Sequence, residues 1–200
     1  MSDGERKFTG KDARVLPRTI VYDPDLTLAL PPAVSAASAM NAIAHCVEAL
    51  WVPDRTPFLM ALASDAARRF AENLPRVIAA WLAGTVLASG TGLQHKLAHV
   101  LGGLGLPHAE THAIVLPHVT RFNLSATPEA RAQLVAALGG EPADRLAAML
   151  RSLPIPHRLS QVGFDDSKTD FVAQEVAALS ISAPRPVSAA DVRTLLAAAF

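Results

Sequence analysis

The sequence predicts a mostly α-helical domain. Half of the 200 residues are apolar but only 5% are aromatic, and alanine and leucine, two strong helix formers, supply most of the apolar residues. From residue 33 onward, apolar residues recur at helical spacing between short turns marked by proline or glycine. A chain of 200 residues is long enough to bury the core of one such domain.

Strand signals are confined to the first 25 residues. The segments RKFT at 6–9 and RTIVYD at 18–23 predict two short strands separated by turn residues. Two strands are marginally stable without a sheet or helix to pack on, and the rest of the sequence offers no other convincing strand. We therefore interpret residues 1–25 as the edge of a sheet from an absent domain, and residues 26–200 as the helical domain.

The first three predicted helices have clear boundaries. One runs from 33 to 51, and the next starts at Thr56, a good N-cap, with Pro57 at the first helical position. A long apolar helix is predicted over 75–101, ending at Gly102.

Five further helices complete a prediction of about eight. The last is expected to start with a capping box, because Ser188 and Asp191 can satisfy each other's backbone N–H groups. Of the other four, one starts near His108 and bends at Pro117, and one starts at Thr127 with Pro128. The remaining two are predicted over 144–153 and 166–179.

Charge and cysteine content exclude several classes of protein. Eighteen basic residues balance eighteen acidic ones without a basic stripe, so we expect a small-molecule or protein partner rather than nucleic acid or a membrane surface. The segment 77–93 lacks charge over 17 residues, but its three glycines favour a buried helix over a membrane span. The single Cys46 and the polar N-terminus predict a cytoplasmic protein.

Histidines are concentrated in one stretch, HKLAHVLGGLGLPHAETHAIVLPH, at residues 95–118. His95 and His99 are four residues apart, which places both imidazoles on one helical face, and His108 and His112 repeat this spacing on the next helix. Two helices joined by a tight turn would bring the four rings together. A metal or catalytic site explains such a cluster better than four independently buried imidazoles do.

A third helix carries a further polar pair at the same spacing, Asn41 and His45, within MNAIAHCVEALW. We expect this helix to frame the same pocket. His118, His157 and Cys46 are interpreted as structural residues.

At residues 95–118 the sequence resembles the iron-containing alcohol dehydrogenase superfamily, and within it the maleylacetate reductase subfamily. Supporting matches span nearly the whole chain: RVLPRTIVYDPDLT at 14–27, SAMNAIAHCVEALW at 38–51, HAETH at 108–112 and PRPVSAADVRTLL at 184–196. The resemblance implies the helical domain of the dehydroquinate synthase-like type. It also implies a cytoplasmic oxidoreductase that forms homodimers.

The resemblance also implies a metal-ligand set. Metal-dependent members hold divalent iron or zinc with one aspartate and three histidines, which correspond to Asn41, His45, His95 and His108. Asn41 departs from that pattern, because an amide oxygen carries no charge and should weaken binding of a divalent ion. Whether Fe²⁺ or Zn²⁺ binds is therefore left open.

The reaction implied is transfer of a hydride from NADH or NADPH to the double bond of maleylacetate, giving 3-oxoadipate in aromatic degradation. Negative charge develops on the substrate, so hydrogen-bond donors and a proton are required. By matching position, His99 is the candidate proton donor or substrate-polarising group. His112, Thr111 and Asn41 are candidates for substrate binding.

Parts of the family pattern are missing from this sequence. No glycine-rich phosphate loop follows a strand, and Gly90 and Gly92 are predicted to lie inside an apolar helix. The nucleotide-binding domain is therefore expected to be absent or supplied by a separate partner. Compared with the family pattern, the sequence also lacks about twenty residues near 78–80 and about one residue between His99 and His108.

Two other functions are left open by these departures. A metal-dependent alcohol dehydrogenase is one. The other is an inactive truncated helical module that retains only dimerisation or metal binding.

Overall fold

The computed structural model describes residues 2–3, 6–7, 19, 21, 23, 30–52, 55–73 and 91–200. Within these ranges it contains eight α-helices, as predicted. They are α1 (Pro32–Glu48), α2 (Pro57–Asn73), α3 (Leu93–Gly103), α4 (His108–Leu124), α5 (Pro128–Leu138), α6 (Pro142–Arg151), α7 (Thr169–Ala177) and α8 (Ala189–Ala199). Two short 3₁₀ helices, Leu159–Val162 and Asp166–Lys168, precede α7.

Several predicted helix starts are confirmed by their caps. The hydroxyl oxygen of Thr56 accepts a hydrogen bond from the N–H of Leu59 at 3.2 Å. Ser188 and Asp191 form the predicted capping box, with each side chain accepting from the other residue's backbone N–H. Thr127 precedes α5 but does not cap it, because its hydroxyl donates to the carbonyl of Asn123 instead.

One prediction, the continuous helix over 75–101, is wrong. Residues 91 and 92 have no regular structure and α3 begins only at Leu93, while residues 74–90 lie outside the described ranges. Gly92 is therefore the N-cap of α3 rather than a residue inside a helix. The cause is a tertiary contact, since the N–H of Gly92 donates to the buried carboxylate of Glu48 at 2.9 Å.

The N-terminal strands differ from the prediction in their pairing. Two-residue strands β1 (Ser2–Asp3) and β2 (Arg6–Lys7) pair antiparallel with each other. In the segment predicted as the second strand, the described residues Thr19, Val21 and Asp23 have no regular structure. The proposed division of the chain at residue 25 stays a prediction.

Helix α4 is the centre of the fold and divides the core into two clusters. Ala113 and Leu116 pack in a cluster with residues of α1, α2, α5 and α6. Ile114, Val115 and Val119 pack in a second cluster with residues of α3, α7 and α8. Residues 111–117 of α4 are all buried, as is typical of a helix segment in a protein interior, and the first turns of α4 are held between α1 and α3.

Among the described residues, no helix is both long enough and apolar enough to cross a bilayer. Most of the uncharged segment 77–93, for which the sequence analysis favoured a buried helix, lies outside those residues.

Candidate functional site

Five histidines from three helices form one cluster, as the spacing predicts. His45 lies on α1, His95 and His99 lie on α3, and His108 and His112 lie on the first turns of α4. A short turn joins α3 to α4, and its Gly105 has a φ of +91°, a backbone conformation that L side chains rarely adopt. This turn lets the histidine pairs of α3 and α4 face each other.

Ring contacts connect all five imidazoles. The ring centroid of His95 lies 3.9 Å from that of His45 and 4.6 Å from that of His112. The centroid of His108 lies 4.3 Å from that of His112 and 5.8 Å from that of His99. Each of the three shortest ring contacts therefore involves His95 or His112.

Glu48 anchors this cluster, although the sequence analysis did not assign it a role. Its carboxylate is fully buried and accepts hydrogen bonds from the N–H of Gly92 at 2.9 Å and of Gln94 at 2.8 Å. A third acceptor contact joins Glu48 Oε2 to Nδ1 of His95 at 2.6 Å. A lone acidic residue on the apolar face of MNAIAHCVEALW was the available signal in the sequence.

The charge state of Glu48 follows from these partners. Burial by itself would raise the pKa of this carboxyl, but the electrostatic interaction with His95 and the hydrogen bonds from His95, Gly92 and Gln94 outweigh burial and lower the pKa. Glu48 is thus a carboxylate at neutral pH. His95 must then donate through Nδ1, which fixes the orientation of its ring.

His45 faces His95 through the opposite nitrogen. The two Nε2 atoms are 2.9 Å apart, so one shared proton lies between them when no ion is bound. Burial, and then the electrostatic interaction with His95, lowers the pKa of His45 to about 3. His45 is therefore a neutral imidazole at neutral pH.

His112 is a neutral imidazole, and one of its two nitrogens lacks a hydrogen-bond partner. Its side chain is fully buried, and burial followed by interaction with His95 lowers its pKa far below the usual value. Nδ1 of His112 lies 3.2 Å from the side-chain nitrogen of Gln94. Its Nε2 has no hydrogen-bond partner among the residues that the structure describes.

The structure groups potential metal ligands in two ways. Donor atoms of His99, His108 and His112 all lie within 4.8 Å of one another. From the ligand set implied by the family pattern, the structure brings His45 and His95 into direct contact. The side-chain oxygen of Asn41 is buried and has no hydrogen-bond partner among the described residues. This is expected of a metal-ligand oxygen when no ion is bound.

The remaining predicted residues have simpler surroundings. The hydroxyl of Thr111 donates to the carbonyl of Pro107 at 2.6 Å, so its proton is used within α4, and a role in substrate binding stays a prediction. His157 contacts the carbonyl of Leu153, which fits its structural interpretation. Cys46 is buried and burial raises its pKa to about 12, so it stays a thiol. His118 is half-buried on α4 beside Arg121.

Replacing Gly92 with alanine is expected to destabilise the protein by about 1–3 kcal/mol, measured as the free energy of unfolding in urea. A Cβ at this position would lie 2.9 Å from the carbonyl oxygen of Ser182 and 3.0 Å from Oε1 of Glu48. Gly102 is the matched control, since a Cβ there meets nothing within 4 Å. Alanine at Gly102 should stabilise by about 0.5–1 kcal/mol. Equal effects at both glycines would contradict the close approach at Gly92.

Comparisons with known proteins agree on one family. Residues 35–200 match the family described as Fe-containing alcohol dehydrogenase, C-terminal. Maleylacetate reductase 2 of Cupriavidus pinatubonensis is 42% identical over 219 aligned residues, covering 100% of this chain and 61% of the relative. Maleylacetate reductase of Pseudomonas sp. strain P51 is 38% identical, and the alignment covers 100% of this chain and 62% of the relative. The chain thus spans about 60% of the length of these relatives.

Solved structures show the same likeness. Maleylacetate reductase from Agrobacterium tumefaciens superposes with a TM-score of 0.91 at 38% identity, covering 96% of this chain and 60% of that chain. A 1,3-propanediol oxidoreductase superposes with a TM-score of 0.80 at 30% identity, covering 89% of this chain and 55% of that chain. The alignment with the Cupriavidus relative is longer than this chain, so that relative has residues without a counterpart here. This agrees with the expectation that about twenty residues of the family pattern are missing here.

Proposed function

The chain belongs to the iron-containing alcohol dehydrogenase family, and we propose that it is the substrate-side domain of an NAD(P)H-dependent maleylacetate reductase. The observation that carries the proposal is the packed imidazole cluster, with its neutral donor at His112 and its carboxylate-oriented ring at His95. Relatives that are 38–42% identical along the whole chain carry the name of this enzyme, which supports it over the two alternatives. A homodimer in the cytoplasm is part of the proposal.

The reaction needs groups that this cluster can supply. A nicotinamide bound to a nucleotide-binding domain outside residues 26–200 would provide the hydride. The hydride adds to one alkene carbon, the alkene electron pair moves onto the conjugated ketone oxygen, and a proton is added to the other alkene carbon. An N–H donor near the oxygen stabilises its developing negative charge. His112 Nε2 suits this position because it is buried and has no partner among the described residues.

His99 is proposed as the source of the proton. It lies on the same face of α3 as His95, one turn later, and its ring centroid is 5.9 Å from that of His112. It is less buried than either of those rings. A proton donor next to the oxyanion-binding group and closer to solvent can be reprotonated after each turnover.

The residues present fit a divalent metal ion. Two nitrogens bound to one zinc ion at about 2.1 Å lie roughly 3.0–3.4 Å apart, close to the 2.9 Å between Nε2 of His45 and Nε2 of His95. The contact of His95 Nδ1 with Glu48 is the carboxylate support that metal-bound histidines usually have. Asn41, His45, His95 and His108 would hold an Fe²⁺ or Zn²⁺ ion, which would polarise the substrate oxygen.

A reconstitution assay tests the proposed function. The purified chain is mixed with maleylacetate and NADH or NADPH, alone and with a maleylacetate reductase nucleotide-binding domain, and cofactor oxidation is followed by absorbance. We expect oxidation only when the nucleotide-binding domain is present, and 3-oxoadipate as the product. Absence of turnover in both mixtures would leave an inactive module as the better explanation. Oxidation of simple alcohols with stoichiometric iron or zinc would instead identify an alcohol dehydrogenase.

Replacing His99 with alanine is expected to lower kcat in the reconstituted enzyme by about 100-fold, because general-acid groups contribute factors of about 10² or more. His157→Gln is the matched control, since His157 contacts a backbone carbonyl outside the cluster. Its kcat should equal that of the unmodified chain. Unchanged turnover in His99→Ala would remove His99 from the mechanism.

A further inference from the structure

Gln94 has an unusual position beside the histidine cluster. It is fully buried near the start of α3, and its backbone N–H donates to Glu48. Its side-chain nitrogen contacts two atoms of the same residue, the carbonyl oxygen of His112 at 2.9 Å and Nδ1 of His112 at 3.2 Å. Gln94 is thus fixed at its backbone by α1 and at its side chain by α4.

These contacts determine which way the amide of Gln94 points. A backbone carbonyl can only accept hydrogen bonds, so the group facing the carbonyl of His112 must be the NH₂ and not the oxygen. The flipped amide would place two oxygens against each other in a buried site, which is unfavourable. The observed orientation is therefore the stable one.

The orientation of the amide in turn determines the tautomer of His112. The NH₂ of Gln94 has two protons, one for the carbonyl oxygen and one for Nδ1. Nδ1 of His112 must then offer a lone pair, and a neutral imidazole with an unprotonated Nδ1 carries its proton on Nε2. That Nε2 is the buried nitrogen without a partner among the described residues.

We propose that Gln94 is a positioning residue that holds His112 in its Nε2–H tautomer, so that His112 donates a hydrogen bond to a substrate oxyanion and does not ligate a metal. The trio His99, His108 and His112 has metal-like spacing, but an Nε2 that carries a proton has no lone pair for an ion. Divalent binding is thereby left to the proposed set, Asn41, His45, His95 and His108. The identity of the oxyanion rests on the proposed function, whereas the tautomer does not.

Nitrogen NMR of the isotope-labelled, metal-free chain tests the tautomer directly, because protonated and unprotonated imidazole nitrogens resonate in separate ranges. In the unmodified chain we expect Nε2 of His112 to be protonated and Nδ1 to be unprotonated. Gln94→Met removes both hydrogen bonds at similar size and should give a mixture of tautomers. Gln174→Met, at an exposed position of α7, is the matched control and should leave the His112 signals unchanged.

Gln94→Glu provides a second variant, in which the introduced carboxyl is protonated in this buried site, so that its hydroxyl donates to the carbonyl of His112 and accepts from Nδ1. In this variant the ring proton of His112 should move from Nε2 to Nδ1, which leaves a lone pair on Nε2. That lone pair should raise the affinity for Zn²⁺ by about tenfold, and the NMR signals of His112 should respond to the metal. In the unmodified chain, added Zn²⁺ should shift His45 and His95 while His112 keeps its Nε2 proton. An Nδ1-protonated His112 in the unmodified chain, or loss of its Nε2 proton on adding Zn²⁺, would overturn the proposal. Neither measurement involves turnover, so failure of the reconstitution assay is distinguishable from failure here.

Discussion

Replacing Glu48 with alanine is expected to lower the free energy of unfolding by about 3–5 kcal/mol, because each buried donor left without its acceptor costs about 1–3 kcal/mol. Its carboxylate is the acceptor for three buried donors, the N–H groups of Gly92 and Gln94 and Nδ1 of His95. Alanine would leave all three without an acceptor in a site closed to water. Because the free energy of unfolding of a domain is typically about 5–15 kcal/mol, this loss is a large share of the total stability.

Urea unfolding followed by circular dichroism measures this loss. Glu72→Ala is the matched control, because Glu72 is exposed and pairs with Arg68 across one helical turn at 2.8 Å. Such surface pairs contribute only about 0.3–0.5 kcal/mol. A Glu48→Ala variant as stable as Glu72→Ala would contradict the prediction, because it would show that water or another acceptor replaces the carboxylate.

The metal-free protein is expected to lose stability steeply as the pH falls below about 6.5. The pKa of His45 is lowered to about 3, mainly by burial and then by His95, and burial together with His95 also lowers the pKa of His112. Both histidines titrate near 6.5 in the unfolded chain. Between about pH 3 and 6.5 the unfolded state therefore binds more protons than the folded state, so stability rises with pH across this window.

Each of the two histidines can contribute up to about 1.4 kcal/mol per pH unit, so the pair gives up to about 2.7 kcal/mol per unit. Glu48 acts in the same direction at lower pH, because its folded-state pKa lies below its usual value of 4.5. Urea unfolding at pH 7, 6 and 5 in EDTA measures the slope. His112→Gln should halve it, whereas Gln174→Met, which removes no titratable group, should leave it unchanged. A free energy of unfolding that is constant from pH 7 to 5 would contradict two buried neutral imidazoles.

The helices and the histidine cluster could be predicted because their signals are local. Proline and glycine mark the turns, Thr56 and Ser188 mark helix starts, and the spacing of four residues puts His95 with His99 and His108 with His112 on common faces. These signals lie within a few residues of one another. Local periodicity also suffices to predict a mostly helical class.

The parts that could not be predicted depend on contacts between distant residues. Glu48 is 44 residues from Gly92 in the sequence, and only the packing of α1 beside α3 brings its carboxylate to the N–H of Gly92. This is the position at which the predicted apolar helix is interrupted. Periodicity predicted a helix through residues 91 and 92, but the tertiary hydrogen bond prevails over local propensity there. The contact of Gln94 with His112 likewise requires knowing which faces of α3 and α4 meet.

The central position of α4 makes the two halves of the core thermodynamically inseparable. Since α4 contributes side chains to both hydrophobic clusters, loosening of either cluster withdraws support from the turn that carries His108 and His112. A cavity made far from any histidine, for example at the fully buried Leu134 of α5 or Leu196 of α8, would therefore disorganise the cluster. Inactivating substitutions spread through this domain would then result from the loss of one cooperatively folded unit, and their positions would not identify the residues that carry out the chemistry.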